Sequence, residues 1–119
     1  MKEDKRTLNA TYSYFRIEDE ENDSYTLRMS FPVHHNTGQK SDKYGLLYHI
    51  YRPFTTFDND NDLDLENCAI KSRGAWWYVR CHESNLNGLY GVRNCTGIYW
   101  NTGDAVYYPT WTEMKIRRI

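Results

Sequence analysis

Features that mark several common protein classes are absent from this sequence of 119 residues. No apolar run approaches the length of a transmembrane helix, which needs about 20 apolar residues. The first residues, MKEDKR, are not followed by an apolar stretch, so no signal peptide is predicted at this N-terminus. Lys and Arg number 15 and Asp and Glu number 16, which gives no general attraction to nucleic acid or to an anionic membrane. We therefore predict neither nucleic-acid binding nor membrane insertion.

Sequence motifs of common enzyme classes are also missing. There is no GxSxG, no HExxH and no glycine-rich phosphate-binding loop. Cys81 and His82 are adjacent, and adjacent residues seldom reach the hydrogen-bond geometry that a cysteine hydrolase requires. An Asp-rich stretch could supply the paired carboxylates of a glycoside hydrolase, but cation binding explains that stretch better. We predict that the chain is not an enzyme.

The cysteines and the sequons leave several alternatives open. The three cysteines, Cys68, Cys81 and Cys95, have no zinc-ligand spacing. An odd number allows one disulfide and a free thiol, or no disulfide. Three Asn-x-Ser/Thr sequons begin at Asn9, Asn22 and Asn94. Each is as easily a chance occurrence as a glycosylation site, and each matters only if the chain is secreted.

Hydrophobic periodicity predicts short strands at both ends of the chain. Residues 10–17 and 25–31 alternate in polarity and are predicted to form a hairpin. The segment LLYHIY from Leu46 predicts a third strand, and TWTEMKIRRI predicts a terminal strand that returns to the sheet. Residues 54–105 have no long period, which predicts loops with short helical turns at NCAI and SNLNG. The 11 Tyr, 4 Trp and 4 Phe residues suit strands and binding surfaces.

The stretch FDNDNDLDLENC, residues 57–68, carries an acidic residue at every second position. A strand would line five carboxylates along one face, where they would repel one another. Asp and Asn are poor helix formers, and the EF-hand pattern fails in both possible registers. A loop that binds Ca²⁺ through several oxygen ligands and a solvated acidic loop without an ion are equal alternatives from the spacing alone.

Residues 54–88, FTTFDNDNDLDLENCAIKSRGAWWYVRCHESNLNG, resemble the C-terminal part of a fibrinogen-related domain. This family includes the fibrinogen chains, ficolins, tenascins, angiopoietins and fibrinogen-like proteins. The similarity continues through Gly97, Ile98 and Trp100 to residues 113–117 and includes the predicted strand pair. The N-terminal half of the family's domain has no counterpart, so residues 1–119 are expected to be a partial domain. The implied fold is α+β, with a small twisted antiparallel sheet beside a loop-rich calcium-binding region with short helices.

The resemblance implies a Ca²⁺ site in the acidic stretch. Asp60 and Asp62 would supply side-chain ligands, and Asp64 and Glu66 would supply carbonyl oxygens. Carbonyl ligands tolerate any side chain, and extra carboxylates favour a cation, so the physical chemistry of the loop agrees with this implication.

The resemblance also implies a disulfide and a ligand pocket. Cys68 would pair with Cys81, which stabilises the fold by about 3 kcal/mol in the chain-entropy model, and Cys95 would remain unpaired. In several family members the peptide bond before the second cysteine is cis, and backbone N–H groups there bind an N-acetyl oxygen. The resemblance places this pocket around Cys81 and His82, directly after Arg80. The family's aromatic walls have no clear counterpart here, so we predict Tyr90 and Trp100 as the apolar wall, with Tyr99, Tyr107 and Tyr108 as further candidates.

The implied function is recognition outside the cell. The leading prediction is a secreted, calcium-dependent domain that binds acetylated glycans as a lectin. The alternative is a matrix or signalling module that binds a protein receptor, as tenascins and angiopoietins do. In both cases the parent protein is expected to be oligomeric.

Overall fold

The computed structural model describes residues 1–3 and 6–118. The strands of this part of the chain are β1 (Lys2–Glu3), β2 (Arg6–Thr7), β3 (Ala10–Tyr12), β4 (Phe15–Ile17), β5 (Leu27–Met29), β6 (Pro32–His35), β7 (Ser84–Asn85), β8 (Tyr99–Asn101) and β9 (Val106–Tyr107). The helices are α1 (Glu20–Asp23), α2 (Cys68–Ser72) and a 3-10 helix (Gly45–His49). None of the described helices has the length and apolar character to cross a bilayer.

Within residues 1–3 and 6–118, the strands form four small antiparallel sheets. β1 pairs with β2, β3 with β6 and β4 with β5, and the fourth sheet has the order β7-β8-β9. The elements are short and the connections between them are long. The predicted α+β class with small antiparallel sheets and few short helices is confirmed.

The predicted N-terminal hairpin is present but interrupted. β4 and β5 pair with Phe15 opposite Met29, whereas β3 turns to pair with β6. Within β5, Leu27 and Met29 face the core as the alternation predicts. Tyr25 lies outside the ladder with φ at +61°, and this residue is 41% exposed. The same-face pattern of residues 25–31 therefore holds only inside the strand.

The predicted third strand is wrong, because LLYHIY begins in a 3-10 helix. The chain enters this helix through Gly45, whose φ of +59° a side chain would strain. A Cβ there would also lie 2.9 Å from the ring of Trp100. The helix turns Leu46, Leu47 and His49 inward. A short apolar run fits a buried helical turn as well as it fits a strand.

Two further predictions of secondary structure are wrong and one is right. SNLNG contains β7 rather than a helical turn, and no strand lies between residues 112 and 118 of the described chain. Trp111 does return to Lys2 through a single antiparallel bridge. NCAI does form a helical turn, because Asn67 caps α2 by accepting hydrogen bonds from the N–H groups of Ala69 and Ile70.

The core joins the two halves of the chain. Its buried residues are Leu27, Met29, Leu46, Leu47, Cys68, Ala69, Trp76, Trp77, Tyr78 and Trp100. Trp76 and Trp77 pack edge to face with ring centroids 5.0 Å apart, a favoured arrangement for aromatic pairs. Trp77 also donates its indole N–H to the carbonyl of Tyr25 at 2.8 Å. The core thus holds the WWY segment rigidly behind the acidic loop and the region after it.

Candidate functional site

The acidic loop is held by hydrogen bonds from its own backbone. Asp60 Oδ1 accepts the N–H of Asp62 at 3.2 Å, and Asp62 Oδ1 accepts the N–H of Asp64 at 3.0 Å. Each carboxylate thus bonds to the backbone two residues further on, as Asp side chains do in Asx turns. Asp62 Oδ2 also accepts the N–H of Cys68 at 2.9 Å. These bonds explain how the alternating acids are accommodated without a strand.

Two asparagines fix the loop to the rest of the domain. Asn61 donates from its amide to the carbonyl of Phe54 at 2.9 Å. Asn67 donates to the carbonyls of Thr56 and Phe57 at 3.0 and 3.1 Å, while its amide oxygen caps α2. The polar residues between and after the acids therefore position the loop, and the carboxylates of Asp60 and Asp62 lie together between these fixed points.

Asp60 and Asp62 place two negative charges side by side at the centre of the loop. The pKa of Asp62 is raised, first because partial burial desolvates its carboxylate and also because the negative Asp60 lies beside it. Hydrogen bonds from the N–H groups of Cys68 and Asp64 act in the opposite direction. A cation bound beside Asp60 and Asp62 would offset the repulsion between their negative charges.

Asp64 has a different environment from Asp62. Its Oδ2 accepts a hydrogen bond from Lys71 Nζ at 2.7 Å, and this bond lowers the pKa of Asp64. Oδ2 also lies 3.9 Å from Sγ of Cys81, within the one tight group of potential ligand atoms among the described residues, which are those of Asp64, Cys68 and Cys81. Both sulfurs belong to a disulfide, so neither is a thiolate that could bind a metal.

These residues fit a calcium ion at Asp60 and Asp62. The two carboxylates are adjacent, neither forms an ion pair within the described part of the chain, and both lie in a loop rich in oxygen donors, the ligand type that Ca²⁺ prefers. The Asp64 carboxylate is engaged by Lys71, so Asp64 has its carbonyl oxygen to offer, and Glu66 is exposed. Asp60, Asp62, Asp64 and Glu66 stay the predicted ligand set.

A disulfide links the acidic loop to the segment after it. Cys68 and Cys81 are joined with a Cα–Cα distance of 5.4 Å, and Cys95 is a free, exposed thiol. The Arg80–Cys81 peptide bond is cis. Among the described residues, the backbone N–H groups of Cys81 and His82 have no hydrogen-bond acceptor in the protein. Two adjacent donors are thus left for a ligand or for solvent.

Three rings extend from this point along the surface. His82 packs edge-on against Tyr99 with centroids 4.8 Å apart, and Tyr99 packs against Tyr108 at 5.8 Å. We call His82, Tyr99 and Tyr108 the ring row. His82 Nε2 donates to the carbonyl of Cys95 at 2.8 Å, and Arg93 lies over the Tyr108 ring at 4.9 Å.

The imidazole of His82 is neutral at neutral pH. Burial lowers its pKa, and the hydrogen bond to the Cys95 carbonyl opposes this only in part. Nδ1 is buried and has no partner among the described residues, so a proton there would place a charge where nothing neutralises it. The ring therefore presents an uncharged aromatic surface.

Neither of the two predicted aromatic walls packs against His82. Trp100 is 3% exposed and belongs to the core, because β8 alternates and points its central residue inward. Tyr99, its neighbour, faces outward and contacts His82. Tyr90 is 75% exposed and makes no ring contact with the described part of the ring row. Tyr99 therefore replaces Trp100 as an aromatic neighbour of His82, and Tyr108 packs against Tyr99.

The sequence did not predict the role of one buried histidine. His49 is fully buried, donates from Nδ1 to the carbonyl of Trp77 at 2.8 Å and accepts the N–H groups of Glu83 and Ser84 at Nε2 at 3.1 and 3.2 Å. It therefore supports the backbone on either side of Arg80–His82. The signal was weak, because a single histidine in an apolar run has no distinctive spacing.

Comparison with known proteins identifies the class of fold. Residues 1–119 match the family described as fibrinogen beta and gamma chains, C-terminal globular domain. Tenascin-R of Homo sapiens is 41% identical over 120 residues, which cover 98% of this chain and 8% of tenascin-R. Ryncolin-4 of Cerberus rynchops is 41% identical over 113 residues, which cover 91% of this chain and 31% of ryncolin-4. The solved fibrinogen-like globe domain of human ANGPTL2 matches with a TM-score of 0.71 and 36% identity over 82% of this chain and 45% of that one.

The fold and these matches define an α+β binding domain of the fibrinogen-like globe type. The chain belongs to the fibrinogen C-terminal domain family, which confirms the resemblance found in the sequence. This family is generally a non-enzymatic binding domain, and the homologues are extracellular or secreted proteins. The chain spans less than half the length of the relatives named above.

Proposed function

We propose that this chain is a secreted, calcium-dependent recognition domain that binds acetylated glycans, as a lectin, and catalyses no reaction. One observation supports this proposal most strongly. The two adjacent backbone N–H groups of Cys81 and His82 lack acceptors in the described chain, and they lie next to the neutral ring of His82, which packs against Tyr99. Hydrogen-bond donors beside an apolar aromatic surface suit a small group with one acceptor oxygen and one methyl.

An acetamido group has these two features. Its carbonyl oxygen would accept hydrogen bonds from the N–H groups of Cys81 and His82, and its methyl would rest against the ring row. The nearby acidic loop disfavours a strongly anionic ligand, because Asp60 and Asp62 already repel one another. Arg80 is the basic residue at this point of the chain and would contact polar groups of the sugar.

The proposed calcium ion has a supporting role. Bound by Asp60 and Asp62 with the carbonyls of Asp64 and Glu66, it would neutralise the loop and fix the segment that Asp62 Oδ2 tethers at Cys68. The Cys68–Cys81 disulfide continues this link to the two backbone donors. Calcium would thus act on the ligand site through its position, without contact with the sugar.

Retention on an acetylated resin tests the proposal. Single contacts of this kind give affinities near millimolar, about −4 kcal/mol, so the chain should be displayed on a multimeric carrier to gain avidity. We expect retention on immobilised N-acetylglucosamine in calcium and release by free acetate. His82→Ala and Tyr99→Ala should each abolish retention, because each removes part of the aromatic surface.

Tyr14→Ala is the matched control, because Tyr14 is exposed and lies in the connection between β3 and β4, which contributes no residue to the ring row. This variant should be retained like the native chain. Failure of the native chain to bind the resin in multimeric form with calcium present would contradict the lectin proposal.

The second candidate is a module that binds a protein receptor. An open apolar groove of about 420 Å³ supports it, lined by Phe15, Ile17, Tyr25, Phe54, Trp77, Met114 and Ile116. A protein partner with an apolar segment would suit this surface better than a sugar would. Loss of binding to a receptor in Ile17→Ser, with no effect of His82→Ala, would favour this candidate.

A further inference from the structure

The sequon at Asn94 lies in a tight, well-defined turn. The segment Asn94-Cys95-Thr96-Gly97 has Asn first and Gly last, as type I turns favour, and the N–H of Gly97 donates to the carbonyl of Asn94 at 2.9 Å. Asn94 Oδ1 accepts both the N–H and the hydroxyl of Thr96, at 2.8 and 2.6 Å. Its amide oxygen is therefore occupied by the Thr of the same sequon.

This arrangement engages the amide oxygen of Asn94 and leaves its amide nitrogen available for modification. Asn94 is exposed, and its Nδ2 makes no hydrogen bond to any residue of the described chain. Asn22 differs, because it lies within α1 and its Nδ2 is 3.4 Å from Asp19 Oδ2. Asn9 is exposed as well, but it directly precedes β3, which contributes no residue to the ring row. The folded domain can thus carry a substituent on Asn94 without displacing any protein contact.

The turn is joined to both ends of the ring row. The residue before Asn94 is Arg93, which covers Tyr108 at 4.9 Å. The residue after it is Cys95, whose carbonyl binds His82 at 2.8 Å. Consecutive Cα atoms are about 3.8 Å apart, so a group attached to Asn94 begins at the edge of the ring row.

The base of the turn is fixed by the fold. The N–H of Leu89 donates to the carbonyl of Thr96 at 2.9 Å, and Asn85, which is buried, donates to the carbonyl of Gly97 at 3.2 Å. A side chain on Gly97 would meet the carbonyl of Val92, so the chain is closely packed there. The first sugar of an attached glycan would therefore keep its place relative to His82.

We propose that Asn94 is an N-glycosylation site and that its glycan covers the rim of the ring row, so that small ligands reach the rings and bulky ones are restricted. The part about ligands rests on the proposed function. The donor is an oligosaccharide carried on a polyprenyl diphosphate. Nδ2 of Asn94 forms a bond to the anomeric carbon, the carbon–oxygen bond to the diphosphate breaks, the diphosphate leaves with the bonding electrons, and Nδ2 loses one proton.

Occupancy of Asn94 is tested on the chain secreted from eukaryotic cells. Intact mass is measured before and after enzymatic removal of N-glycans, for the native chain, Asn94→Gln and Thr96→Ser. We expect a glycan on the native chain, its loss from Asn94→Gln, and its retention in Thr96→Ser, which keeps the sequon. An unmodified Asn94 in the secreted native chain would overturn the proposal.

The covering role is tested on Cys95, the free, exposed thiol next to Asn94. The rates of alkylation by a small maleimide and by a polymer-linked maleimide are compared before and after removal of the glycan. We expect removal to raise the rate severalfold for the bulky reagent and to leave the small reagent nearly unchanged. Equal effects on both reagents, or no effect, would overturn the covering role. Neither readout requires sugar binding, so a failure of the lectin proposal would be seen separately on the resin.

Discussion

A single buried histidine connects three segments that surround the candidate site. His49 donates to Trp77 and accepts from Glu83 and Ser84, so only its neutral form with the proton on Nδ1 satisfies all three backbone groups. Burial lowers the pKa of His49 to about 3. Below the ordinary value of about 6.5, the unfolded chain takes up a proton that the folded chain rejects.

Acid should therefore weaken the fold through His49. Because the unfolded state binds more protons between about pH 6.5 and the folded pKa, the free energy of unfolding falls as the pH falls through this window. We expect His49 to account for a loss of about 2 kcal/mol between pH 7 and pH 5. Urea unfolding of the native chain and of His49→Gln at the two pH values measures this loss.

The His49→Gln variant should be less stable at pH 7 and should lose less stability on acidification. His34→Gln changes an exposed histidine and should keep the pH dependence of the native chain. The same decrease from pH 7 to pH 5 in the native chain and in His49→Gln would show that His49 does not cause it.

At the residue scale, the sequence predicted the positions of those residues that belong to a specific family motif. Cys68, Cys81 and His82 lie together as the resemblance implies, because the motif itself contains them. The choice between Tyr99 and Trp100 was wrong because adjacent residues of a strand face opposite sides. The loop before β8 has no periodicity, so the sequence did not define which of the two rings faces the core.

At the scale of elements, the acidic loop bears most directly on the proposed calcium site. Its Asx turns hold Asp60 and Asp62 side by side, with burial and like charge raising the pKa of Asp62. The loop is therefore folded in a form that a divalent cation would stabilise. Such an ion, bound only to the folded state, raises the free energy of unfolding by mass action.

Calcium should raise the melting temperature of the native chain. The expected stabilisation is about 2.7 kcal/mol at a hundredfold excess over Kd. Asp60→Ala removes a side-chain ligand and should abolish the effect. Thermal unfolding with calcium and with a chelator measures both.

Glu66→Ala is the matched control, because Glu66 would bind through its carbonyl oxygen and its side chain is exposed. This variant should keep the calcium effect. An equal rise in melting temperature in Asp60→Ala and in the native chain would place the ion elsewhere.

At the scale of the whole molecule, the family motifs predicted the fold better than hydrophobic periodicity did. Alternation predicted β4 and β5, and the helical turn predicted at NCAI is α2. The hydrophobic pattern predicted the wrong element for LLYHIY, which begins in a buried 3-10 helix (Gly45–His49) and not in a strand. It also failed for residues 112–118, where alternating side chains such as Met114 and Ile116 line the groove without joining a ladder. Tertiary packing determines the conformation of these two segments, and local sequence patterns do not contain that information.

The central claim is that acetylated ligands bind beside His82 and Tyr99. An NMR titration of the isotope-labelled chain with N-acetylglucosamine, in saturating calcium, tests it most directly. We predict saturable shifts of the His82 and Tyr99 ring signals and of the Cys81 and His82 amides, with a Kd near millimolar, about −4 kcal/mol, and no shifts with glucose. Ring signals that stay unchanged, or shifts confined to the apolar groove around Ile17, would contradict the claim.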